Sequence, residues 1–105
     1  CRAVADLNAL SDIKEKTRIC ICDALYGLFH GGPKFRPQFR WDFHGAVAAT
    51  DPVALDTVLA DMIKDKRIEE GMSAYHNDLR HVHRAAQLGV GEGDLSKINR
   101  INVRV

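Results

Sequence analysis

Two aspartates, a histidine and a glycine pair are the residues whose types and spacing could do chemistry in this chain. Asp23 closes an apolar, β-branched run, and Asp51 follows a second run of small residues. Ligands of open α/β sheets bind outside the carboxyl ends of strands. If the two runs are parallel neighbours, Asp23 and Asp51 project at one rim, with His30 on the loop between them. Two carboxylates and an imidazole offer oxygen and nitrogen donors that suit a hard or borderline divalent cation. They could equally serve as general acid and base groups. Asp23 and Asp51 are the expected metal ligands. Both also have plain structural explanations: Asp51 as a helix N-cap ahead of Pro52, Asp23 as a turn former. Asp56, one turn into the same helix, either joins the site or complements the helix dipole.

His30-Gly31-Gly32-Pro33 lets a backbone come close to a ligand, and successive N–H groups there could cradle an anion. The tetrapeptide is equally a plain turn, and no P-loop pattern accompanies it. Lys34 through Trp41 interleaves three cations with three aromatics, and five of the seven aromatics fall between Phe29 and Phe43. Arg36 and Arg40 would hold an anionic ligand. The alternative is that this loop packs against another part of a larger protein; nucleic acid is the least favoured partner. His76, His81 and His83 read as helix-surface histidines, since no zinc-type spacing links them. Cys1, Cys20 and Cys22 include no CxxC and no quartet, so no iron–sulfur cluster is expected on this chain. Cys20 and Cys22 should share one face of a strand as small apolar residues.

These groups need elements to hold them. The chain has 105 residues, enough for one domain, 1–105. Apolar residues at 46% and charged residues at 28% argue against disorder. No apolar run approaches the roughly 20 residues that span a bilayer. Fifteen Lys and Arg against fourteen Asp and Glu leave a net charge of +1. That balance excludes global attraction to a polyanion as the main design. The compartment, cytoplasmic or exported, is left open.

The spacing predicts a helix over residues 3–13 and a strand over 17–22, buried on both faces. A long loop follows over 26–42, then a second strand over 43–49. Thr50 or Asp51 caps a helix whose apolar stripe is Leu55, Val58, Leu59, Met62 and Ile63, ending at Gly71. Another helix is predicted over about 77–88, with Leu79, Val82 and Ala86 inward. Residues 98–105 alternate apolar and polar and predict a half-exposed strand near a sheet edge. The expected fold is α/β, a small parallel or mixed sheet of about three strands with flanking helices. The start at Cys1-Arg2 reads as a fragment of a larger domain, and a fragment with an open strand edge could form a homodimer.

Four segments together resemble the C-terminal part of the domain-of-unknown-function family 362. They are Cys22-Asp23-Ala24-Leu25-Tyr26-Gly27, Gly31-Gly32-Pro33, Ala49-Thr50-Asp51-Pro52-Val53-Ala54-Leu55-Asp56 and Ala85-Ala86-Gln87-Leu88-Gly89-Val90-Gly91. The resemblance implies a preceding N-terminal part and, in many members, a ferredoxin-like cysteine module as partner. It adds weight to Asp23, Gly32, Asp51 and Asp56 as site residues. The function expected on these grounds is a metal- or anionic-ligand-binding domain of a redox-associated protein. The alternatives are an interaction module that docks through the 34–41 loop, or a metal-dependent hydrolase or transferase.

Overall fold

The structure, a computed structural model, describes residues 2–74 and 79–105. Strands β1 (Cys20–Leu28) and β2 (Arg40–Ala49) pair antiparallel, from Cys20 opposite Ala49 to Leu28 opposite Arg40. Among the described residues this is a two-stranded antiparallel sheet, which corrects the expected parallel or mixed sheet of about three strands. The physical reason lies in the connection. Parallel neighbours need a crossover, usually a helix; here the chain folds straight back on itself. Phe29 N–H donates to Phe39 O at 3.1 Å, and the two rings meet edge to face with centroids 5.7 Å apart. The aromatics of the loop therefore close a hairpin. Residues 26–28, expected as loop, continue β1.

Burial alternates along β1 rather than covering both faces. Cys20, Cys22 and Ala24 are half-buried, whereas Ile21 is 69% and Leu25 is 54% exposed. The alternation leaves one face of the ribbon bare. One bulge interrupts the ladder: Leu25 opposes both Phe43 and His44, and His44 takes φ 57°. The left-handed region costs a non-glycine residue roughly 1–2 kcal/mol. Replacing His44 with Gly should therefore stabilise the fold by about 1 kcal/mol, read as a higher urea midpoint at unchanged slope.

Two short helices precede the sheet. Residues 3–13 do not form one helix; α1 (Arg2–Asn8) stops, Leu10 turns extended, and α2 (Ser11–Lys14) restarts. Only Ala5 of these helices is buried, so little apolar contact holds a longer helix together. Helix α3 (Pro52–Glu69) buries Val53, Ala54, Leu55, Val58 and Met62. It ends where Gly71 takes φ 72°. Helix α4 (Arg80–Gln87) follows, with Val82 and Ala85 buried against Ala5 and Val53. His76 and the first two residues of the helix expected over 77–88 lie outside the described residues.

Past α4, Asp94 accepts from the Ser96 hydroxyl and backbone N–H, capping a 3-10 turn at Leu95–Lys97. The Ser96 hydroxyl, then its N–H, holds the Asp94 carboxyl below the usual carboxylate range. A lowered carboxyl stabilises the fold above its unfolded range and loses that contribution as pH falls through the folded one. Asp94→Asn should therefore flatten the acid limb of the stability–pH curve, measured by urea unfolding between neutral and strongly acidic pH. Residues 98–105, expected as a third strand, are not one. Alternation prepares a segment for a sheet, but a strand also needs a hydrogen-bonding neighbour.

Candidate functional site

Asp51 is built in from both sides. Its Oδ1 accepts the N–H groups of Val53 at 2.8 Å and Ala54 at 3.0 Å, capping α3, with Pro52 in the first turn. Its Oδ2 accepts the N–H of Glu92 at 2.7 Å, forty-one residues further on. Gly91 makes room for this, because a Cβ there would fall on the carboxylate, 2.5 Å from Asp51 Cγ. The carboxylate thus pins the 90–93 segment onto the start of α3. Asp23 stands elsewhere. It lies within β1 opposite Ala46, on the exposed face, and its Oδ1 accepts Leu25 N–H at 2.8 Å. Because the strands run antiparallel, Asp23 and Asp51 do not share a rim formed by two strand carboxyl ends.

Asp56, exposed on α3, faces His81 of α4 across 3.8 Å. The pair borders a cleft of about 50 Å³ between α1, α3 and α4, whose walls include Asn8, Val53 and Val82. That volume holds one or two waters. Ligand pockets run to several hundred Å³. Nothing in the sequence joins Asp56 to His81, which sit on different helices. A second, open groove between α1 and α4 carries Arg2, Asp6, Arg80, His83 and Arg84, with Arg84 Nε 3.1 Å from Asp6.

The loop residues do come together. His30 sets its ring edge-on to Phe39 at 4.7 Å and receives an N–H from Arg67 Nη1 at 2.9 Å on Nδ1. A guanidinium only donates, so Nδ1 accepts here. Gly31 takes φ 79°, and a Cβ there would meet the Arg36 stem at 2.6 Å. Gly32 joins Pro33 through a cis peptide bond. Arg40 is spent locally: Nε lies 2.6 Å from Asp42, and its guanidinium carbon is 4.8 Å from the Tyr26 ring centre. Phe29 is buried, whereas Lys34 and Phe35 at the tip are exposed.

Arg67 is the residue that sequence reasoning missed. It is buried at 4% exposure; Nη1 also donates to Phe29 O at 3.0 Å, and Nε to Ser73 O at 3.1 Å. Its position was legible: it falls four residues after Ile63, on the stripe of Leu55, Leu59 and Ile63. A cation on an apolar stripe is a buried one or an interruption.

Among the described residues no group of three His, Cys, Asp or Glu side chains is placed to hold a metal ion. No helix among them is long and apolar enough to cross a membrane. Against family models, curated proteins and solved structures, the chain finds no match.

Proposed function

We propose that this chain is an interaction module, whose bare sheet face and adjoining hairpin loop dock on another polypeptide. The observation that carries this is the outer face of β1. Ile21 and Leu25 stand exposed there on either side of Asp23, with Ala46 and Ala48 opposite on β2 and Phe35 exposed in the loop. An isolated two-stranded ribbon is marginally stable and needs packing on its faces. Here α3 supplies that on one side only. Contiguous exposed apolar surface marks an interaction site.

Ligand binding at the strand ends requires carboxylates free to coordinate. The oxygens of Asp51 are occupied by three backbone amides, and Asp23 Oδ1 by one. Docking therefore has the better physical support. The resemblance to family 362 is offered on the same footing, and under it the docking partner is the rest of such a protein.

Ile21→Lys and Leu25→Lys together test this. Both side chains are exposed, so stability should change by no more than about 0.5 kcal/mol each. Binding of an apolar fluorescent dye should fall severalfold. A monomeric chain that binds no dye, or dye binding that ignores the double substitution, overturns the proposal.

A further inference from the structure

The chain holds two unpaired features of the same kind. One is the open sheet. Among the described residues the sheet has two strands, so β1 and β2 each present an open hydrogen-bonding edge. The β2 edge is disturbed by the bulge at Phe43 and His44 and carries Arg40 and Asp42. Bulges and charges are the devices that blunt an edge. The β1 edge is guarded less: Cys20-Ile21-Cys22-Asp23-Ala24-Leu25 holds one charge, Asp23, which takes Leu25 N–H, and no proline or bulged residue.

The other feature is the segment 98–105. Ile101, Val103 and Val105 alternate with Arg100, Asn102 and Arg104, so an extended backbone puts the three apolar side chains on one face. Ile101 is 78% and Val103 is 80% exposed. Among the described residues, the last backbone bond in this region is Ile98 N–H to Leu95 O. A segment patterned as a strand but without a sheet, and a sheet with an unguarded edge, are complementary. Among the described residues they do not pair within one copy.

We infer that residues 98–105 of one copy add as a third strand to the β1 edge of a second copy, with the exchange reciprocated. Backbone N–H and C=O groups would supply the bonds, as in strand addition generally. A register that sets like beside like places Ile101 and Val105 next to Ile21 and Leu25 on the outer face, with Val103 beside Asp23. The exchange is isologous, so it closes at a dimer rather than growing into a fibre. The same pairing gives the alternating tail a sheet and the bare face its cover. This inference rests on the docking proposed above and names the polypeptide that docks.

The experiment is sedimentation of the full chain from micromolar to millimolar concentration, beside a chain ended at Ile98 and a Val103→Pro variant. The truncation removes no described contact of the core, so its far-ultraviolet dichroism should match the full chain. The expected result is a concentration-dependent dimer for the full chain and a monomer for the truncated one. Val103→Pro should weaken dimerisation at least tenfold. Equal mixtures of isotope-labelled and unlabelled chain should show contacts between the tail of one copy and Ile21 of the other. A full chain that stays monomeric throughout overturns the inference, as does tail protection from hydrogen exchange in a monomer. A dimer that survives truncation overturns the exchange yet leaves docking through the bare face standing. Failure of the monomeric chain ended at Ile98 to bind the apolar dye sinks docking itself.

Discussion

Replacing Asp51 with Ala should lower stability by about 2–4 kcal/mol, the largest single effect expected in the molecule. Losing an N-cap costs about 1 kcal/mol. Leaving the Glu92 amide without its acceptor adds about 1–3 kcal/mol. In a domain of this size that lowers the thermal midpoint by roughly 10–25 °C. Gly91→Ala should cost a comparable amount by the opposite route, because the new methyl displaces the carboxylate from its amides. The two changes must then be strongly non-additive. Once Asp51 is Ala, the methyl at position 91 meets no carboxylate, and its cost shrinks. A double-mutant cycle by urea unfolding should return a coupling of about 1–3 kcal/mol. Additive costs would mean that Asp51 and Gly91 act independently, against the contact geometry. Asp51→Asn is the milder control, since an amide oxygen still caps.

The same pair shows what the sequence makes legible. Asp51-Pro52 ahead of a 3-4 stripe is a local signal, and the helix it announces is there, capped by Asp51 and stopped at Gly71. That Asp51 also holds Glu92 is not a local fact. The two lie forty-one residues apart, and no periodicity links them. In sequence, Gly89, Gly91 and Gly93 look like three helix breakers after residue 88, whereas Gly91 lets a carboxylate approach the backbone.

Strand direction was the larger loss. Tyr26-Gly27-Leu28 looks like loop because Gly27 weakens strand propensity. Propensity is outweighed here by pairing, since Gly27 sits opposite Trp41 in the ladder. With the strand ended too early, the gap to the next one looked long enough for an irregular loop. The aromatics in that gap then read as a ligand surface rather than as a hairpin closure. Phe29 and Phe39 close the hairpin, and Phe35 is left outside. In the same way 98–105 has the alternation of a strand, and only the geometry of the sheet decides whether a neighbour is present.

Arg67→Met should cost about 1–3 kcal/mol, although it conserves most of the side-chain volume. The guanidinium joins three pieces of chain: the end of β1 through Phe29 O, the loop through His30 Nδ1, and the segment after α3 through Ser73 O. Methionine fills the space and donates nothing, so the carbonyl of buried Phe29 loses its donor, at about 1–3 kcal/mol for a group left buried and unpaired, whereas exposed Ser73 and His30 can turn to water. Arg67→Lys should recover only part of this, because one ammonium cannot reproduce a planar fork aimed at separate acceptors. The consequence reaches the docking surface. Phe29 and His30 lead into the loop that carries Phe35, and His30 stacks edge-on against Phe39. Freed from Arg67, the loop should open while the β1–β2 ladder persists. Amide exchange should therefore accelerate across residues 29–39 far more than across Cys20–Ala24. Uniform acceleration of both would show that Arg67 supports the whole fold rather than the hairpin loop.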